Sequence, residues 1–182
     1  MLGIGLHKQI ANQRRKVPFT TAYASGGTFS NNDTVGDIDW VSPSNAATSN
    51  DVYATIQNDE TATSKYLLAT NFGLSIPTDA VIRGILVEVE RSQTVDGPPN
   101  VTDNSIRLFK AGVVTGANKS TGAQWLDNDS YIAFGGATDL WGTTWTATEI
   151  NNIGFGVGIS AIVQGAALVK IDHIRIKIYY EA

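Results

Sequence analysis

The chain has 182 residues, with 13 Lys+Arg against 17 Asp+Glu, a formal net charge of −4 and no cysteine. This length suits one domain plus an appendage, and the lack of cysteine excludes a disulfide framework, a thiolate metal site and a cysteine nucleophile. The mild acidity disfavours nonspecific duplex binding, which needs clustered Lys and Arg, and no stretch approaches the roughly 20 apolar residues that span a bilayer.

The first sixteen residues carry Lys8, Arg14, Arg15 and Lys16 and no acid; the first carboxylate is Asp33. Taking those four from the 13 basic residues leaves 9 against 17 acids, so residues 17–182 carry a formal −8. The opening Met1-Leu2-Gly3-Ile4-Gly5-Leu6 is too short for a signal-peptide core, and its charges follow rather than precede it. Pro18 disfavours helix at Val17, and the apolar period over residues 4–16 is too poor to assign one. Leu2, Ile4, Leu6 and Ile10 would each contribute roughly 1.5–3 kcal/mol if buried. Ordering the backbone costs about 1–2 kcal/mol per residue, which over sixteen residues exceeds that gain. Residues 1–20 therefore read as a basic, apolar-tipped arm that orders on a partner, and residues 21–182 as a folded body.

The body reads as short strands. Residues 51–56 place Val52, Ala54 and Ile56 on one face, and a strand over 65–72 follows. After a turn at 74–80, the longest clean strand turns Val81, Ile85, Val87 and Val89 one way and Glu88 and Glu90 the other, the period of a half-buried strand. Asp96-Gly97-Pro98-Pro99-Asn100 has loop chemistry. Residues 105–110 alternate again, with Ile106 and Leu108 inward. Thr146-Ala-Thr-Glu149 has capping-box spacing and predicts a single helical turn reaching Asn152. Ile153, Phe155, Val157, Ile159 and Ala161 then alternate with Gly154, Gly156, Gly158 and Ser160. A face made of glycine is tolerated where a bulky side chain or another subunit packs closely over it. In the last strand Val169 and Ile171 have one parity and Ile174, Ile176 and Ile178 the other, which predicts a β-bulge near Asp172-His173. Short strands, Gly/Asn/Asp turns and almost no helix argue an all-β fold, an antiparallel β-sandwich of jelly-roll type with an extended N-terminal arm.

No catalytic motif emerges. The only histidines are His7 and His173, and no G-x-S-x-G elbow is present; His173 reads as an ordinary strand residue. Gly116-Ala-Asn-Lys119-Ser120 lacks the glycines of a phosphate loop, where Val113 and Asn118 stand. The glycines at 154, 156 and 158 lie inside a strand, not at a strand-to-helix turn. Glu88 and Glu90 sit roughly 7 Å apart by strand rise, within the spacing of an inverting glycosidase, but such pairs are usually a solvated face. Asp33, Asp37 and Asp39, and Asp127, Asn128 and Asp129, offer oxygen ligands for calcium; Asx-rich turns explain both more simply. Trp40, Trp125, Trp141 and Trp145 would stack on sugars if exposed and pack a core if not. No catalytic, cofactor or metal residue is assigned.

Tyr66-Leu-Leu-Ala-Thr-Asn-Phe-Gly-Leu-Ser-Ile-Pro77 followed by Ala80-Val-Ile-Arg-Gly-Ile-Leu-Val-Glu-Val-Glu-Arg91 resembles a pattern of β-sandwich modules in tailed-bacteriophage virion proteins. Asp139-Leu-Trp-Gly, Trp145, Phe155-Gly-Val and the closing Val169-Lys-Ile-Asp-His-Ile-Arg-Ile-Lys-Ile-Tyr-Tyr180 are similar to the same type, and Met1–Leu6 is similar to the start of short phage structural proteins. The resemblance covers about residues 40–180 and the arm's tip. It implies a non-enzymatic capsid cement or decoration protein on the outer surface of the virion, a homotrimer bound to the major capsid protein, with no cofactor, no membrane and no specific nucleic acid. The arm residues Leu2, Ile4, Leu6, Lys8, Arg14, Arg15 and Lys16 are the expected partner contacts. The alternative is a carbohydrate- or receptor-binding jelly-roll module of a tail or fibre, which would expose aromatic rings.

Overall fold

The computed structural model describes residues 17–95 and 100–182. In chain order these form β1 (Pro18–Thr20), β2 (Ala24–Ser25), β3 (Thr28–Asn32), a 3-10 turn (Pro43–Ala46), β4 (Ala54–Asn58), β5 (Ala62–Thr63), β6 (Tyr66–Thr70), β7 (Val81–Val95), β8 (Val101–Lys110), β9 (Val113–Thr115), β10 (Ser130–Gly136), α1 (Ala147–Ile150), β11 (Gly156–Val163) and β12 (Ala167–Glu181). The strands build two antiparallel sheets around one core, as the alternating pattern requires. In the first sheet β12 pairs with β7 along one edge and with β4, β2 and β1 in turn along the other, and β7 pairs with β10. The second sheet runs β3-β6-β11-β8-β9, with β5 also on β11. Consecutive long strands change sheets: β6 to β7, β7 to β8, and β11 to β12.

The expected bulge is present. The β12–β7 register shifts between Ile171 and His173. The added residue lets Val169 and Ile171 on one side of it, and Ile174, Ile176 and Ile178 on the other, all reach the core. Asp172 is buried there, and its carboxylate accepts the backbone N–H groups of Asn50 and Asp51.

A second register shift lies between Tyr179 and Tyr180, opposite Arg83. It corrects the face assignment at the start of β7. Ile82, not Val81, enters the core, while Ile85, Val87 and Val89 do so as expected. Val52 and Ile153 are likewise exposed rather than inward, because each precedes the strand it was counted with. Ala54, Ile56, Ile106, Leu108, Phe155, Val157, Ile159 and Ala161 are buried as their parity requires. The helical turn at 147–150 carries both halves of the capping box: Thr146 Oγ1 accepts from the Glu149 backbone, and Glu149 accepts from the Thr146 backbone.

Candidate partner-binding surfaces

The arm residues Leu2, Ile4, Leu6, Lys8, Arg14, Arg15 and Lys16 lie outside the described residues. The description starts at Val17, next to Ala182. Residues 17–20, counted with the arm from sequence, belong to the sheet. Val17 N–H donates to the Ala182 carbonyl at 3.0 Å and Ala182 N–H donates to Val17 at 3.2 Å. Phe19 pairs with Tyr180 and stacks on its ring, with centroids 5.7 Å apart. Val17 and Ala182 therefore lie side by side at one edge of the first sheet. A groove of about 520 Å³ opens beside them, lined by Phe19, Ile82, Leu140 and Tyr180. Arg83 and Glu181 form an ion pair at 2.6 Å on its rim.

The outer face of the second sheet carries another groove, of about 620 Å³. Tyr66, part of its lining, packs over the glycine face of β11. A Cβ on Gly158 would lie 2.6 Å from Phe109 and 2.9 Å from Tyr66. These rings meet edge-to-face at 5.5 Å and pack with Leu68, Val35 and Val114. Gly158 is thus covered by the chain's own aromatic side chains, and Gly156 by Leu68, Ala69 and Thr70, which leaves no room for a neighbouring subunit to approach these two glycines. Tyr66 hydroxyl lies 2.6 Å from Ser105 Oγ. Beyond them Arg107 donates through Nη1 to the Gly116 carbonyl at 2.8 Å.

The outer face of the first sheet holds a polar cluster that local patterning does not reveal, because its members come from four strands. His173 has Ser25 Oγ 2.7 Å from Nε2 and Tyr131 Oη 2.7 Å from Nδ1. Burial, and secondarily the Arg175 charge, hold its pKa below the ordinary value, so the ring is neutral at pH 7. Arg175 lies between the rings of Tyr23 and Tyr131, 4.2 and 3.9 Å from their centroids, and pairs with Glu88 at 2.6 Å. Ser25 sits in a strand rather than at a nucleophile elbow, and neither Ser25 nor His173 borders either groove. The cluster pins β2, β10 and β12 together.

The remaining sequence candidates take structural roles. Glu88 and Glu90 share a face as expected, but Glu88 is occupied by Arg175 and by the Tyr23 hydroxyl. Lys65 bridges Asp33 at 2.9 Å and Asp39 at 3.0 Å, so two of the three carboxylates of that loop already share an ammonium. Asp129 accepts from Tyr53 and Ser92, and Asp127 from Gln93. No group of His, Cys, Asp and Glu suited to a metal occurs among the described residues. All four tryptophans are buried, so none offers a face to a sugar. Trp40, Trp141 and Trp145 each donate their indole N–H to a backbone carbonyl, and Trp125 donates to Asp103. Asp103 also forms a fully buried ion pair with Arg91, whose guanidinium lies 4.5 Å from the Trp125 ring centroid. Burial lowers the Arg91 pKa to about 9, which still leaves the guanidinium charged at neutral pH.

The chain matches no protein-family model, and searches of curated proteins and of solved structures find nothing similar to it.

Proposed function

We propose that this chain is a non-enzymatic structural protein of a bacteriophage virion. In this reading it is a capsid cement or decoration protein that stabilises the shell from outside by binding neighbouring copies of the major capsid protein through its N-terminal arm. The observation that carries the reading is the partition of charge: four basic residues and no acid in residues 1–16, against a formal −8 in the rest. An acidic body is repelled by acidic coat surface, whereas the arm is attracted to it. The exit of the arm beside the C-terminus, at a sheet edge, leaves the bulk of the body free to stand clear of the shell. Leu2, Ile4 and Leu6 would enter apolar sites on the coat, and Lys8, Arg14, Arg15 and Lys16 would pair with its carboxylates. A trimer would act through three arms at once, multiplying a modest affinity by effective concentration.

The strand order supports a jelly-roll body. The ladders β4-β12-β7-β10 and β6-β11-β8-β9, with long strands that change sheets in succession, match the two interleaved Greek keys of that fold. The tail or fibre reading asked for exposed aromatic platforms. With the tryptophans in the core, Tyr23 at 39% exposure and Phe19 at 49% are what remain for it.

The test is to delete residues 1–16 and measure occupancy on purified shells. The expected result is loss of particle binding with an unchanged unfolding midpoint. Undiminished occupancy by the shortened protein refutes the reading.

A further inference from the structure

We propose that the groove on the outer face of the second sheet is a second, arm-independent docking site for a protein partner, and that it takes an acidic side chain flanked by apolar ones. The inference rests on the partner-binding reading above and adds a specific site to the body.

The first observation concerns Arg107. Among the described arginines, Arg83, Arg91 and Arg175 each face a carboxylate within salt-bridge distance, at Glu181, Asp103 and Glu88. Arg107 has no carboxylate partner among the described residues; its Nη1 donates to the Gly116 carbonyl. That bond fixes the plane of the guanidinium while leaving donors on its other nitrogens, the preorganised fork that recognises a carboxylate. The groove lining, which includes Asn104, Ser105, Asn118 and Val113, contains no aspartate or glutamate. In an acidic body this is a local site of positive potential.

The second observation decides the ligand class. A saccharide needs many free hydrogen-bonding groups, but most of the polar groups here are already paired with one another. Tyr66 and Ser105 bond each other. The Asn118 carbonyl oxygen accepts from Ile106 and Ser120, and its amide nitrogen donates to Asn104. The Asn104 amide nitrogen donates to Ser160. What remains is apolar wall, Val35, Val113 and Val114, around one cation, and Val113 is 66% exposed. A volume of about 620 Å³ is within the range of ligand-sized clefts. Apolar contacts with a single buried carboxylate satisfy this lining, and a polyol would leave its hydroxyls unpaired. β9, which carries Val113 and Val114, is also an edge strand of its sheet among the described residues, so an extended peptide has access.

The experiment uses the full chain, immobilised and panned against a library of random heptapeptides displayed on particles. In parallel it is probed with a glycan array that includes carboxylated sugars. The expected result is a consensus with Asp or Glu between apolar residues. A synthetic peptide of that consensus should bind about tenfold or more weakly to Arg107→Gln, the cost of one charge-assisted bond. Because Arg107 also holds the Gly116 loop, Val113→Asp and Val113→Lys supply a pair that leaves that bond intact. The aspartate should weaken the peptide at least as much as Arg107→Gln does, and the lysine should not. A consensus without an acid, equal binding by Val113→Asp and Val113→Lys, no enrichment, or selective capture of glycans would each overturn the proposal. The basic arm also attracts acidic peptides, so it is the dependence on Arg107 and Val113, whose substitutions leave the arm unchanged, that assigns binding to the groove; failure of that dependence leaves the shell-occupancy test of the arm untouched, and the reverse also holds.

Discussion

Replacing Gly158 by alanine tests whether the glycine face of β11 exists to seat the chain's own aromatic pair. The φ of Gly158 lies outside the left-handed region, so the substitution is decided by space alone. The new Cβ would lie 2.6 Å from Phe109 Cε2 and 2.9 and 3.0 Å from Tyr66 Cδ1 and Cγ. Ordinary carbon contacts are about 3.5–4.0 Å, so both rings must retreat by roughly 1 Å. Neither retreats easily: Phe109 is fully buried, the rings are locked edge-to-face, and the Tyr66 hydroxyl is held on Ser105. Overpacking of this kind costs about 1–3 kcal/mol. Alanine recovers about 0.4–1 kcal/mol by restricting the unfolded chain. The expected net loss is about 1–2 kcal/mol, a fall in Tm of about 2–8 °C for a domain of this size. Urea unfolding followed by tryptophan fluorescence should show a lower midpoint with an unchanged slope. Gly136→Ala is the matched control, since nothing lies within 4 Å of its Cβ position and its φ is not left-handed; it should gain about 0.4–1 kcal/mol. If Gly158→Ala were as stable as Gly136→Ala, the packing argument for the stripe would be wrong.

Two further outcomes follow from buried polar groups. Asp103→Ala strands the Arg91 guanidinium in the core and removes the acceptor of Trp125, which should cost about 3–5 kcal/mol. The double variant Arg91→Met/Asp103→Leu should lose much less than the sum of the single changes, and additivity in a denaturation cycle would count against a true ion pair. His173, facing Arg175 and Asp172 on its own strand, Glu90 on β7 and Tyr131 on β10, has a lowered pKa when folded. The unfolded chain, with a histidine pKa of about 6.5, therefore takes up protons first as the solution is acidified. Stability should fall as pH drops through that value and stop falling, for this residue, below the folded pKa. Urea midpoints at pH 7.5 and 5.5 should differ in the wild type and differ less in His173→Gln; an equal difference would show that other groups cause it.

Much of the architecture was legible because strand parity is local. The alternation of Ile85, Val87 and Val89 with Glu88 and Glu90 needs no knowledge of a partner strand, nor does that of Ile106 and Leu108. The parity change from Ile171 to Ile174 even located the bulge at Asp172, since a core-facing strand cannot switch faces without an added residue. The capping box at Thr146 and Glu149 is equally local. Errors came where a face depends on a neighbour. Val81 and Ile82 exchange roles because β12 shifts register at Tyr180, and nothing within 81–90 records that shift. Val52 and Ile153 were counted into strands whose pairing begins two or three residues later.

The candidate surfaces were less legible than the fold. The tryptophans could be read as platform or core, and their burial decided for core only once two sheets closed over them. The cluster of Ser25, Tyr131 and His173 joins side chains as far apart as 148 residues in sequence. Arg107 stands out only when every other described arginine has been matched with its acid.

By itself the sequence determined the element types, one bulge, one helical cap and a division of charge between the first sixteen residues and the remainder. Those properties depend on nearest neighbours and on composition. Which glycine lies under which ring, which described arginine lacks an acid beside it, and that Val17 lies beside Ala182 were decided by tertiary structure alone. Each of these depends on strand register between segments distant in the chain, and register is set by the closing of the whole core.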